Sequence, residues 1–230
     1  MNYGDIVQLG RHRLMCGDAT DYGDIQRLLG GEHPDLVLTD PPYGVKTHGS
    51  YRFGGNKRGY NTASITETVM GDKNTDTARK HYNLIASLPS IIWGAQYFTD
   101  FLPPQKGWLV WHKEQKLYNH ADCELAWTNL HTPAKYYSQL WSGYCRAGNK
   151  SLNPCPHVHP TQKPVELHAR ILEDFSQEGD LILDCFGGSG TTLIACEITG
   201  RRCFMMELSP QYCDVIINRY NTLTEGGIFS

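Results

Sequence analysis

A chain of 230 residues, 40% hydrophobic and 20% charged, has the make-up of one sizeable α/β domain in water. No apolar run approaches the roughly 18 residues of a membrane-spanning helix, and the N-terminal MNYGDIVQLGRHRL lacks the apolar core of a signal peptide, so a cytoplasmic location is expected. The formal net charge of −3 excludes little by itself, but its distribution along the chain is uneven.

In chain order, RLMCGD (13–18) reads as a strand ending in a turn, and ATDYGDIQRLLG as a helix closed by Gly30 and Gly31. DLVLTD (35–40) is a short, apolar, β-branched run of the kind buried in a parallel sheet. A Gly-rich, polar, basic stretch follows from about 44 to 71; a loop of that length inside a compact domain is usually functional. Residues 76–88 have helical spacing, SIIWGAQYF opens with a strand, and GWLVWHK is another strand. CELAWTN and YYSQLWSGY predict strands with aromatic faces, paired antiparallel. The last third alternates clearly: a helix over PTQKPVELHARILEDFS, a strand in GDLILDCF, and a helix over GSGTTLIACEITG ended by Gly200. A strand in RRCFMMEL then precedes a helix over SPQYCDVIINRYN, with Ser209 as N-cap and Pro210 in the first turn. Strands alternating with helices predict a mostly parallel sheet covered on both faces.

Eight of the 21 basic residues fall in two windows that hold none of the 24 acids. Pro41 to Thr66 carries Lys46, Arg52, Lys57 and Arg58; Leu125 to Val165 carries Lys135, Arg146, Lys150 and Lys163. Such segregation is the footprint of a phosphate-backbone partner, although two polar loops that lack acids would look the same. The eight cysteines form no repeating pattern, and most stand among apolar residues, so free thiols are expected. Cys145, Cys155, His157 and His159 lack the close CxxC pairs of common zinc modules, and no metal is expected.

Ligands of a parallel α/β sheet bind outside the carboxyl ends of its strands. LILDCFGGSGTT puts Asp184 at such an end, followed by three glycines in four residues and a helix start with free N–H groups. The next strand ends in Glu207, the place and residue type for accepting ribose hydroxyls. Together these features point to a nucleoside-containing cofactor.

FGGSGTT after Asp184 resembles the S-adenosylmethionine-binding motif of amino-methylating DNA methyltransferases, and DPPY (40–43) resembles their catalytic motif. DPPY comes first here, with HPTQKP (159–164) just upstream of the glycine motif; this permuted order resembles the β class of adenine-N6 and cytosine-N4 enzymes. The resemblance implies a Rossmann-like, circularly permuted methyltransferase fold, a seven-stranded mostly parallel sheet in a single domain spanning 1–230. It implies catalysis by the Asp40, Pro41, Pro42, Tyr43 turn on a base flipped out of double-stranded DNA. Asp40 and the Pro41 carbonyl would accept the amino hydrogens, prolines would stiffen the turn, and the Tyr43 ring would stack on the base. The cofactor would lie against Asp18, Ala19, Asp184, Phe186, Gly187, Gly188, Ser189, Gly190, Thr191, Thr192 and Glu207, with His159, Thr161 and Lys163 toward its methionine end.

The Asp-first motif favours adenine N6 over cytosine N4 in that family. Methylation of RNA or of a protein amide, and a DNA-binding chain that no longer catalyses, are the competing readings. At this length there is little room for a large recognition domain, so DNA recognition is expected from a loop at 44–71 and a segment at 112–155. Lys46, Arg52, Lys57, Arg58, Lys135 and Arg146 are the candidate DNA contacts, and a homodimer would supply further surface.

Overall fold

The computed structural model describes residues 1–45, 71–115, 121–142, 145–146, 152 and 162–225. Nine strands form one sheet: β1 (Ile6–Leu9), β2 (His12–Cys16), β3 (Leu36–Thr39), β4 (Ser90–Trp93), β5 (Trp108–His112), β6 (Cys123–Thr128), β7 (Lys135–Ser138), β10 (Leu181–Asp184) and β11 (Arg202–Glu207). A separate two-residue ladder joins β8 (Trp141–Ser142) to β9 (Cys145–Arg146). The helices are α1 (Tyr22–Leu29), α2 (Asp76–Ile85), α3 (Val165–Phe175), α4 (Thr191–Ile198) and α5 (Pro210–Glu225).

The sheet order is β1-β2-β11-β10-β3-β4-β6-β5-β7. From β2 to β4 every neighbouring pair is parallel, while β1 and β6 run against the rest. The expectation of a mostly parallel sheet holds, but the count is nine strands and not seven. One added edge is β1, which folds back on β2 through Gly10 and Arg11; the apolar IVQL just before that glycine was its sequence signal. The other is β7. It runs opposite to β6, as a short connection demands, yet β5 lies between them, so the ladder of β7 is parallel to β5 rather than antiparallel.

Side chains alternate across the central strands. Leu14, Leu36, Leu38, Ile91, Trp93, Ile182 and Met205 meet the apolar faces of α3, α4 and α5 on one side. Met15, Val37, Ile92, Leu183, Phe204 and Met206 meet α1 and α2 on the other. The helices begin and end where the chain supplies caps. Asp21 accepts from the Gly23 and Asp24 N–H groups at the start of α1, and Gly30 closes it at φ 59°. Helix α3 starts at Val165 after Pro164, later than its apolar spacing suggested, because Pro164 holds an extended backbone. Among the described residues six cysteines are free, and no helix is long and apolar enough to cross a membrane.

Three histidines are buried in this core. His12 accepts the Cys203 N–H at Nδ1 (2.9 Å) and faces Glu197 through Nε2 (2.6 Å). His81 faces the Ala19 carbonyl (2.9 Å), and His168 the Thr192 hydroxyl (3.1 Å). Burial lowers all three, His81 to about 4 and His168 to about 3. Since these folded values lie below the unfolded one, the stability they confer is complete above about pH 6.5 and lost as pH falls. Asp184, raised to about 6 by burial, acts in the opposite sense between its unfolded value and about pH 6. Urea unfolding at pH 7, 6 and 5 should therefore show stability falling with acidification, each histidine adding up to about 1.4 kcal/mol per pH unit. His81→Gln, which keeps a donor for Ala19, should remove one histidine's share of that slope.

Candidate active site

Because β2, β11, β10, β3 and β4 are parallel, their carboxyl ends share one edge, and the residues just beyond them line a cavity of about 550 Å3. Asp18, Ala19, Asp40, Pro41, Pro42, Tyr43, Lys163, Asp184, Phe186, Gly187, Gly188, Ser189, Thr191, Thr192 and Glu207 all reach its wall. Gly190 does not: it is the N-cap of α4, at φ 81°, packed against Ile216. His159 and Thr161 lie outside the described residues.

At the glycine turn, Glu207 accepts the Gly188 N–H at Oε2 (2.7 Å) and the Ser209 N–H at Oε1 (2.8 Å). One carboxylate thus pins both the turn and the start of α5; burial raises its pKa while the amides oppose that. A side chain at Gly187 would meet Met205 at 2.9 Å, so the turn lies directly on the sheet. Asp184 accepts from the Thr39 hydroxyl (3.0 Å) and the Phe186 N–H (3.1 Å). Arg219 of α5 donates to the Ser189 carbonyl (2.8 Å). Across the cavity, Asp18 accepts from both the N–H and the hydroxyl of Thr20 at 2.8 Å.

The DPPY turn leaves β3 next to this groove. Tyr43 donates its hydroxyl to Asp40 Oδ1 (2.5 Å), and Lys163 Nζ contacts Oδ2. The Tyr43 ring fills a niche at the end of β4: it stacks on Tyr97 (centroids 5.1 Å apart) and lies where a side chain at Gly94 would be. Asp72 accepts from the Gly44 and Val45 N–H groups (2.6 and 3.2 Å), so Val45 and Gly71, at the two ends of the 44–71 segment, lie side by side.

Lys163 is 5% exposed, with its ammonium over the rings of Trp93 and Tyr43. It also lies 3.3 Å from Glu124 Oε2, whose other oxygen is 2.5 Å from Lys113 Nζ. Burial opposes the charge on Lys163, but Asp40 and Glu124 outweigh it and hold its pKa above the usual lysine value. Of the two carboxylates, Asp40 is the weaker acid, raised by burial and by the charge of Glu124. Glu124 is held below its usual value, burial notwithstanding, by Lys163 and Lys113.

Lys163, counted in an acid-free window and expected by resemblance toward the cofactor's methionine end, is thus a buried residue of the cavity wall and not part of an exposed basic surface. Lys135, on edge strand β7, is 42% exposed and 3.8 Å from Asp174, a loose pair. Lys46, Arg52, Lys57 and Arg58 lie outside the described residues, as does the side chain of Arg146 and the Cys155, His157, His159 cluster. No group of metal-binding residues occurs among the described residues. Sequence reasoning missed Glu124, Lys113, Gly94, Tyr97 and Asp72. Glu124 carried one signal: it is an acid inside an apolar strand, at the border of the acid-free window.

A family model described as DNA methylase, of the N6/N4 type, matches residues 103–219. The type II methyltransferase M.HpaI of Haemophilus parainfluenzae is 25% identical over 249 aligned positions, covering 93% of this chain and 76% of that protein. M2.DpnII of Streptococcus pneumoniae, also a type II methyltransferase, is 23% identical over 230 positions, covering 84% and 85%. The solved structure of the cytosine-N4-specific PvuII DNA methyltransferase has the same fold, with a TM-score of 0.59, 15% identity and coverage of 98% and 97%. So does the M1.HpyAVI–SAM complex, with a TM-score of 0.53, 20% identity and coverage of 90% and 98%.

The niche at Gly94 makes a testable demand. Gly94 has φ 74°, and a β-carbon there would stand 2.0 Å from the Tyr43 ring. Gly94→Ala should destabilise the fold by more than the roughly 1–2 kcal/mol of a left-handed alanine, measured by urea unfolding. In a Tyr43→Ala background the same change should cost only about that 1–2 kcal/mol, since the clashing ring is gone.

Proposed function

This chain belongs to the N6/N4 DNA methylase family, and on that premise we propose that it methylates the exocyclic amino group of a base flipped out of double-stranded DNA, adenine N6 before cytosine N4. The cofactor is S-adenosylmethionine, which when bound supplies an electrophilic methyl group. The observation that carries the reading is that one cavity joins the DPPY turn to the glycine turn and to Glu207. The residues fit the cofactor: a glycine-lined turn laid on the sheet, a carboxylate at the end of β11 for ribose hydroxyls, and Asp18 at the opposite wall for an adenine amino group. The order of the motifs, with DPPY ahead of the glycine turn, supports the permuted β class.

An exocyclic amino nitrogen is a poor nucleophile because its lone pair is delocalised into the ring. Asp40 and the Pro41 carbonyl accept its two hydrogens and so favour the tetrahedral nitrogen. The turn is rigid before any base arrives, since its prolines restrict φ and Asp40 is already held by Tyr43 and Lys163. Tyr43 thus has two roles, a ring to stack on the base and a hydroxyl that orients Asp40. In this reading DNA phosphates are met by the basic residues of the 44–71 segment, and base readout falls to the 112–155 segment.

A specific observation favours cytosine N4 as the second reading, the fold likeness to the cytosine-N4-specific PvuII enzyme. Nucleoside mass spectrometry of duplex DNA treated with the protein and S-adenosylmethionine separates the two. N6-methyladenine is the expected product, N4-methylcytosine would select the second reading, and neither would overturn both. Asp40→Ala should lower turnover by roughly 100–1,000-fold while calorimetric cofactor affinity changes only a few-fold. Tyr43→Phe should lose part of the rate through the hydroxyl, and Tyr43→Ala most of it.

A further inference from the structure

The row of charges that begins at Asp40 extends beyond what amino-group activation requires. Asp40, Lys163, Glu124 and Lys113 alternate in sign from the end of β3 to the β5–β6 hairpin. Lys163, bound to Asp40, cancels much of the negative charge that Asp40 brings to the cavity, and Trp93 and Tyr43 shield that ammonium from water. Glu124 stands on β6, opposite Trp111, with its carboxylate turned to both lysines.

We propose that Glu124 is a positioning residue for methyl transfer, which by sharing the Lys163 ammonium keeps that cation from neutralising Asp40 completely. With Glu124 the four-membered row is neutral; without it the row carries a net positive charge. That charge would adjoin a cavity that has to accept a cationic methyl donor and stabilise positive charge on the amino nitrogen as its lone pair forms the N–C bond while the donor's S–C bond breaks, its electron pair staying on sulfur, until the nitrogen passes one proton by way of Asp40 to water. Glu124 touches neither base nor cofactor; it acts through Lys163 on Asp40. This role presupposes the amino-methylation reading. The charged and titratable groups facing Asp40 are Lys163 of the chain before α3, Glu124 of β6, Tyr43 of its own turn, and Asp184 of β10. Lys163 and the Tyr43 hydroxyl lower its pKa, whereas Glu124 raises it.

The test is Glu124→Gln, which keeps size and an oxygen for Lys113, in the full chain with duplex DNA and S-adenosylmethionine. With wild-type circular dichroism, kcat at saturating substrates should fall at least tenfold while KM for DNA stays within threefold. The acid limb of the kcat profile should move to lower pH, because Lys163 then pairs with Asp40 alone; a merely structural loss leaves that limb in place. In a Lys163→Met background, Glu124→Gln should have no further effect on kcat, since there is no ammonium left to share. If Lys163→Met does not fold, the acid limb of Glu124→Gln decides alone. Wild-type kcat with an unmoved limb, or the same fold-loss in both backgrounds, would overturn the role while the wild-type enzyme still methylates. A wild-type protein that methylates no DNA amino group would overturn the functional reading and this role with it.

Discussion

Carboxylates crowd the carboxyl edge of this sheet, Asp184 buried and Asp18, Asp40 and Glu207 half-buried, and the fold depends on giving each of them partners. Asp184 and Glu207 end two neighbouring parallel strands, with Asp40 and Asp18 just past the ends of two more. A buried carboxylate without partners would take up a proton or unfold the edge. Each is met by a different device. Glu207 takes two backbone amides, Asp184 takes hydroxyls and an amide, Asp18 takes Thr20, and Asp40 takes a tyrosine hydroxyl and a buried ammonium. These same bonds bring the glycine turn, the DPPY turn and the start of α5 together around one cavity.

Neutralisation by Lys163 couples two distant parts of the chain. It stands just before α3, whereas Asp40 directly follows β3 and Glu124 lies within β6. The antiparallel strand β6 is therefore more than an extension of the sheet: it carries the acid that balances the lysine. Amide partners, by contrast, are local. Gly188 and Ser209 reach Glu207 because a strand end and the two helix starts beside it always lie close in such a sheet.

The aromatic residues near the site divide in the same way. Tyr43 keeps its ring in a niche made by Gly94 and Tyr97, and its hydroxyl on Asp40. Trp93 is stacked with His168 at an interplanar angle of 3° and also carries the Lys163 ammonium over its ring. An ammonium held against ring faces, rather than in water, keeps its charge directed at the carboxylates.

The alternation of short apolar runs with helical spacing determined the parallel core, because burial on both faces demands it and the period is local. DPPY, the glycine turn and Glu207 were legible too, since strand-end chemistry is written in consecutive residues. The strand count was not. Edge strands β1 and β7 are short and half-exposed, and their pairing depends on which neighbour the tertiary structure offers. Nor were the ion-pair partners of Lys163, which sequence counted in an acid-free stretch and, by resemblance, placed toward the cofactor. Whether a lysine meets phosphate or a buried carboxylate is decided by which distant acid the fold brings within reach. Glu124 and Asp40 became its partners only when β6 and β3 came to flank β4 in one sheet.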